Sequence, residues 1–303
     1  MSLRLSVSLT SSHPEVAPRV AAAQAIERAR AANRAGLDAM FVGDHHTTST
    51  PYLQNVPFLG RLLAEWDDRP AGCLFLLPLW NPVLVAEQVG TLAAIAAGRF
   101  VLQTGLGGSE RDSTAMGVDH RKRPSMFEES LGIIRRLLAG ETVDADGRYS
   151  FRGARISPTP PEPVEVWVGA SAAVGIERAA RIGDGFLAAP YLQAEAADQA
   201  AQYLAACASV GRSPGTVAIR RDVYVAASQD EARAVREHTI ATGYRGMPVD
   251  ALAIGTVEQV AESFRAFGEL GYTEIVVRHL VNDQQRVLDS YERLGEVRRL
   301  IRA

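Results

Sequence analysis

Apolar positions along the chain switch between two periods. "LRLSVSL" near the start alternates residue by residue, as a half-buried strand does, and the next stretch shifts to helical spacing. There, over about residues 16–35, Val16, Val20, Ala23 and Ile26 fall on one predicted apolar face, and Gly36 supplies a C′ stop. "DAMFVG" predicts a second strand, a short helix runs around "FLGRLLAEW", and "AGCLFLLPL" predicts a third strand. Asn81-Pro82 opens a helix whose expected stripe is Val85, Val89, Leu92 and Ile95, closed by Gly98. "RFVLQTG" predicts strand four, and Phe127, Leu131, Ile134 and Leu138 space the helix after it.

Residues 141–163 interrupt the rhythm. "TVDADGRYSFRGARI" predicts a small hairpin turning at Asp146-Gly147, and "SPTPPEP" an extended connector. The alternation then resumes with "VEVWVG", "DGFLAA", "VAIRRDVYVAA" and "TEIVVRHL" as strands five to eight. The helix after strand six is expected over about 193–209. The last helix carries Val287, Tyr291, Leu294 and Val297 on one side and a basic final turn. Eight strands alternating with helices over 303 residues fit either a closed (β/α)8 barrel or an open doubly wound sheet. The count of eight, with no glycine fingerprint after strand one, favours a single (β/α)8 TIM barrel spanning 1–303, with insertions near 141–163 and 243–255.

Composition narrows the class of function. Apolar residues make up 47% and charged residues 22%, with a net charge of −3, so nothing attracts a polyanion and no nucleic-acid partner is expected. The apolar runs are too short to cross a bilayer and no signal peptide is apparent, so no membrane partner is expected. Cys73 and Cys207, the only cysteines, predict no disulfide framework, and a cytoplasmic location follows as the default.

In a barrel of this kind the active site gathers at the C-terminal ends of the strands. Strand two ends in Asp44, His45 and His46, two of the six histidines side by side. Adjacent strand residues point to opposite faces, so both can serve one spot only where the strand has ended. A polar loop, a metal site and a proton-handling pair are the readings open here. No cluster elsewhere supplies further metal ligands, and imidazole titrates near neutral pH. "TGLGGSE" after strand four and "VGASAAVGIE" after strand five are small-residue loops, the second just before a helix. Each is a tight turn or, with backbone N–H groups at a helix N-terminus, a phosphate cradle. Asp112, Arg121, Lys122 and Arg123 read most simply as a solvated loop.

The stretches "GLDAMFVGDHH", "LPLWNPVLVAEQVGTLAAIAAGRFVLQTGLGG" and "VEVWVGASAAVGIERAARIGDGF" together resemble the bacterial luciferase-like flavin oxidoreductases. The resemblance is detailed over strands two to six and follows strand order elsewhere. It implies a (β/α)8 barrel, often a homodimer, that holds a flavin or deazaflavin at its open end. It carries the role of the chemically required first histidine to His45, with His46 beside it. It implies a ring-binding strand with a non-prolyl cis peptide at Cys73-Leu74. Phosphate-binding loops follow at Leu106, Gly107 and Gly108 and at Ala170, Ser171 and Ala172, with Thr104, Gly105 and Gly169 beside them as further cofactor-binding positions.

The chain departs from luciferase in having Gly105 for a reactive cysteine, Leu106 for a phosphate-contacting arginine and Ser171 for an acid. The basic partner of the phosphate then falls to Arg278 or Arg111. Two chemistries follow from the resemblance. One is a two-component monooxygenase that receives reduced FMN from a separate flavin reductase and uses oxygen on a small organic molecule. The other is hydride exchange through the deazaflavin coenzyme F-420 (F420). The His45-His46 pair leans toward FMN, and Asp44, where luciferase has Glu, toward F420. A third alternative is a flavin-binding barrel without catalysis, which would have little need of His45.

Overall fold

The computed structural model describes residues 2–189 and 192–303. Its elements run β1 (Arg4–Leu9), α1 (Pro18–Arg34), β2 (Met40–Val42), α2 (Asn55–Leu62), β3 (Ala71–Leu76), α3 (Pro82–Ile95), β4 (Phe100–Gly105), α4 (Glu110–Ala115) and α5 (Arg123–Leu138). They continue with β5 (Val143–Asp146), β6 (Ser150–Ala154), β7 (Glu165–Ala170), α6 (Ala173–Ile182), β8 (Gly185–Ala188), α7 (Gln193–Ser209), β9 (Thr216–Val225) and α8 (Gln229–Thr242). The chain ends with β10 (Ala253–Gly255), α9 (Val257–Glu269), β11 (Glu274–His279) and α10 (Gln284–Arg302).

The main sheet has the order β10-β9-β11-β1-β2-β3-β4-β7-β8, and β8 pairs in turn with β9. Leaving β10 aside, eight strands alternating with helices close on themselves, the (β/α)8 barrel that the sequence predicts.

The chain divides into two compact units. The first comprises the chain up to Thr10, Arg19–Met40 and Trp167–Ala303; the second comprises Ser11–Pro18 and Phe41–Val166. In the first, β7, β8, β9, β11 and β1 pair in parallel in that order. In the second, β3 and β4 pair in parallel from Ala71 with Phe100 to Leu76 with Gly105. β5 and β6 form the antiparallel hairpin expected in the first insertion. Three residues separate its strands, and Gly147 has no positive φ, so the two-residue primed turn predicted at Asp146-Gly147 is not the one formed. The second insertion holds β10, a short strand parallel to the end of β9 that periodicity did not reveal.

Local rules explain most helix ends. At the end of α1, Gly36 has φ +74°; its N–H bonds to the Asn33 carbonyl and that of Leu37 to the Ala32 carbonyl, a Schellman stop. Asn81 caps α3 by accepting the Val83 N–H, with Pro82 in the first turn. Gly98 does not close α3 as a C′ residue. A Cβ there would lie 2.0 Å from the Asp68 carbonyl oxygen, so close backbone approach requires the glycine.

Two predicted stripes need correcting. Ile95 is exposed, because at 100° per residue it lies well round the helix from Val85, Val89 and Leu92, which are buried. In α1 the predicted face is not the buried one: Val20 is exposed, and Ala21, Ala25, Ala29 and Ala32 are buried together with Arg28. Small side chains there let the helix pack closely. The α10 stripe of Val287, Tyr291, Leu294 and Val297 is buried as expected. Its basic end is tied to one acid rather than to the helix dipole alone: Arg298 and Arg302 donate to Asp38 Oδ1 at 2.7 and 2.6 Å.

Candidate active site

β2 is only three residues long, so the chain has left the sheet before Asp44, and its side chain and those of the two histidines are free of strand alternation. Just before it, a Cβ at Gly43 would lie 2.9 Å from the Tyr52 hydroxyl. Thr47 then takes φ +50°, turning the segment. Asp44 is buried. Its Oδ2 accepts the Leu76 N–H at 2.8 Å and the Trp80 indole N–H at 2.9 Å. Its Oδ1 stands 3.1 Å from His46 Nε2, an ion pair when the imidazole carries its second proton.

That carboxylate raises the His46 pKa above the ordinary imidazole value; burial opposes the shift, and Asp112 adds to it. The His46 ring meets Trp80 edge to face at 5.3 Å, and Trp80 meets Phe75 likewise at 5.1 Å. His46 is thus committed to its neighbours. His45 is not: its side chain is 49% exposed, its Nδ1 lies 3.9 Å from Asp112 Oδ2, and its ring edge faces Tyr52 at 5.8 Å. Gln54 Nε2 donates to the His45 carbonyl at 3.3 Å, and Thr47 Oγ1 to Asp112 Oδ1 at 3.4 Å. The histidine pair therefore splits into one locked imidazole and one accessible imidazole.

Cys73 and Leu74 lie on β3, in register with Leu102 and Gln103 of β4. Cys73 is fully buried and burial pushes its thiol pKa well up, so it offers no thiolate. Leu74 is half-buried, and its carbonyl accepts from Asn55 Nδ2 at 2.8 Å. The cis peptide expected at Cys73-Leu74 is not present. Among the described residues the one cis bond is Ser157-Pro158, and β3 keeps a regular parallel register through this point.

Thr104 and Gly105 are buried at the end of β4, while Leu106 and Gly107 are half-buried and Gly108 is exposed. Gly105 leaves room for Leu76 and Leu74, whose side chains would stand 3.2 and 3.8 Å from a Cβ. Gln103, on the same strand face as Gly105, is buried with no hydrogen-bond partner for its Nε2. A planar heterocycle with ring carbonyls and nitrogens suits this set: small and apolar groups to lie against, and an unsatisfied amide donor beside them.

Gly107, with φ +72°, has its carbonyl held by the Arg123 guanidinium, which also meets His120 Nε2 at 2.6 Å and the His120 carbonyl at 2.8 Å. Arg123 and Asp112, read from sequence as a solvated loop, are thus parts of the site's frame. The sequence held a signal for Asp112, the Ser109 cap that accepts its N–H, but nothing that linked it to His45.

In the other unit, Gly169 and Ala170 are half-buried at the end of β7, and Ser171 and Ala172 are exposed. Ala172 is the N-cap of α6 and no side chain satisfies the first turn, which leaves N–H groups available to an anion. Arg278, at the end of β11, has Arg245, Arg220, Asp222 and Tyr244 as its charged and titratable neighbours. Arg111 is exposed on α4.

Comparison with known proteins agrees with this architecture. A family model described as luciferase-like monooxygenase matches residues 3–248. An F420-dependent glucose-6-phosphate dehydrogenase of Beutenbergia cavernae is 35% identical over 166 residues, 52% of this chain and 49% of that protein. The chain thus matches about half the length of such curated relatives. An F420-dependent secondary alcohol dehydrogenase, solved with an F420-acetone adduct, superposes with a TM-score of 0.82 at 17% identity, over 100% of both chains. The oxygenating constituent of 3,6-diketocamphane monooxygenase from Pseudomonas putida, solved with FMN, gives 0.79 at 18% identity over 97% of each. At these identities the structures show the fold. No helix among the described residues is long and apolar enough to cross a membrane.

Proposed function

The chain belongs to the luciferase-like monooxygenase family, and from that premise we propose that it is an oxidoreductase exchanging hydride with a small hydroxyl- or carbonyl-bearing substrate through a deazaflavin of the F420 type. The observation that carries this reading is the division of labour between the histidines. Asp44, Trp80 and the Leu76 N–H fix His46 and so fix the segment, leaving the accessible His45 imidazole with Asp112 behind it. The coenzyme, when bound, supplies the hydride acceptor or donor. His45 supplies the proton: with Nδ1 toward Asp112, its Nε2 takes the hydroxyl proton of an alcohol and returns it to a carbonyl oxygen in the reverse direction.

Leu74, Leu76, Gly105 and Gln103 would hold the ring, and the loop at Leu106–Gly108 would hold its phosphate on backbone N–H groups. Relatives named for F420 support the deazaflavin over FMN. The adjacent-histidine pattern, which leaned toward FMN on sequence, loses force because His46 is occupied by Asp44. Two-component oxygenation with reduced FMN and a flavin reductase is the second reading. It is favoured by the family's description alone.

The test is anaerobic titration of the purified protein with F420 and, separately, with reduced FMN, in wild type and in His45→Ala. F420 is expected to bind both proteins, with turnover of an alcohol or carbonyl substrate lower in the variant by about 100- to 10,000-fold. Binding of reduced FMN alone, with substrate-dependent oxygen consumption, replaces the hydride reading by the monooxygenase one. Undiminished turnover in His45→Ala removes the proton-transfer role.

A further inference from the structure

The loop at 106–108 is closed by a circuit of hydrogen bonds that leaves from Gly107 and returns at Ser109. Arg123 opens it. Its Nη1 donates to the Gly107 carbonyl, its Nη2 meets His120 Nε2 at 2.6 Å, and its Nε donates to the His120 carbonyl at 2.8 Å. On the other side of the imidazole, Nδ1 stands 3.1 Å from the Ser113 hydroxyl oxygen. Ser113 is buried, and its hydroxyl donates to the Ser109 carbonyl at 3.1 Å. Ser109 caps α4 by accepting the Asp112 N–H at 3.2 Å. All of these groups lie in the second compact unit.

This circuit fixes the protonation of His120. A guanidinium has donors only, so Nε2 must present its lone pair. The Ser113 hydroxyl has one hydrogen and spends it on Ser109, so its oxygen accepts and Nδ1 carries the proton. The circuit is therefore complete only for a neutral imidazole of one tautomer. A second proton, on Nε2, turns the acceptor into a donor and sets two cations 2.6 Å apart. Of the carboxylates around the pair, Asp119 is engaged by Arg121 and Lys122, and Asp112 stands beside His45. Burial disfavours the charge on Arg123 and Glu110 favours it. Arginine keeps its proton throughout, so the charge on His120 decides whether the contact forms.

We propose that His120 is a positioning residue for the cofactor: as a neutral imidazole it holds Arg123 on Gly107 and so sets the 106–108 loop to receive a phosphate, and on protonation it lets the loop go. The Gly107 carbonyl and the Gly108 N–H belong to one trans peptide and point in opposite directions. Holding the carbonyl toward Arg123 therefore aims the Gly108 N–H the other way, as an anion donor. Gly107, at φ +72°, is free to take the conformation that this requires. The inference rests on the reading that this loop takes the cofactor phosphate, and it holds for a flavin and a deazaflavin alike.

Anaerobic titration with F420 and with reduced FMN, at about pH 8 and about pH 5.5, tests it in wild type, His120→Gln, Arg123→Lys and the exposed control His238→Gln. The glutamine amide oxygen can accept from Arg123 and takes no proton. Wild type and His238→Gln are expected to lose about tenfold more affinity on acidification than His120→Gln, one charge-assisted contact being worth that much. Titration of the ligand itself is common to all and cancels. Arg123→Lys keeps the charge and loses the fork. It is expected to bind about tenfold more weakly than wild type at about pH 8, and it decides the matter if His120→Gln does not fold. Equal losses in wild type and His120→Gln overturn the proposal, as does wild-type affinity in Arg123→Lys. A second readout needs no ligand: the NMR order parameters of the Gly107 and Gly108 amides are expected to fall on acidification in wild type and to hold in His120→Gln. If neither cofactor binds wild type, the cofactor reading of the site fails; order parameters that differ between the two proteins then still uphold the His120 contact, and equal ones overturn it.

Discussion

His46 and His279 are the same side chain set at the C-terminal ends of parallel strands, and their surroundings drive them in opposite directions. His46 has a carboxylate at 3.1 Å and its pKa is raised. His279, the last residue of β11, is fully enclosed, and neither of its ring nitrogens has a hydrogen-bond partner among the described residues. It packs against Tyr291 with ring centres 4.3 Å apart. Burial, with the Arg28 charge added to it, lowers its pKa to about 3. Burial alone pushes both imidazoles down, and Asp44 reverses the sign for one of them. One histidine is therefore built to keep a proton and the other to refuse it.

The largest consequence lies on the acid side. Below pH 6.5 the unfolded chain protonates this histidine and the folded protein does not, so stability is lost as the pH falls, by about 1.4 kcal/mol per unit until the folded value near 3 is reached. His279→Leu, of similar bulk and without a titrating group, is expected to flatten that limb in denaturant melts between pH 6 and pH 4. An unchanged slope would show that His279 is solvated and would end the contrast.

Asp44→Asn comes next. It keeps one acceptor for the Leu76 and Trp80 donors and takes the charge from His46, so the expected loss of stability is about 1.5–3 kcal/mol at neutral pH. By NMR the His46 imidazole should then titrate at a lower pH than in wild type, because burial acts on it unopposed. Wild type has the opposite linkage to that of His279: the contribution of His46 is present below its unfolded value and is lost as the pH rises through its raised folded value. That alkaline limb should disappear in the variant. A His46 titration unmoved by Asp44→Asn would assign the shift to another group.

Arg28→Met sharpens the comparison with the smallest effect. Arg28 donates to Gln284 Oε1 and the Asn282 carbonyl at 2.8 and 2.7 Å, so removing it is expected to cost about 1 kcal/mol. It should also ease the protonation of His279, starting the plateau of the acid limb at a higher pH. An unaltered plateau would leave burial as the sole cause of the His279 shift.

How much could be read in advance followed the range of the interactions. α3 and α10 were legible because a cap, a proline and a stripe of branched residues are local signals. The buried face of α1 was not, because alanine reads as neutral, and the Arg28 buried among those alanines reads as a surface residue. Asp44, His45 and His46 stood out as a polar cluster ending a strand. Their partners did not: Trp80 reads as core or pocket lining and Asp112 as a loop acid, and folding brings both to the histidines. Arg278 was singled out at the end of its strand as a candidate phosphate partner, but nothing local showed that the pairing of β9 with β11 sets it beside Asp222.

By itself the sequence determined the alternation of strands and helices and the barrel that follows from it, and it marked the candidate segments at the strand ends, because periodicity, caps and turns act over a few residues. Only the tertiary structure decided which histidine is locked and which is accessible, and which arginine holds the Gly107 carbonyl. Those outcomes depend on charge, burial and distance between groups far apart in the chain, and these are fixed by packing and strand register.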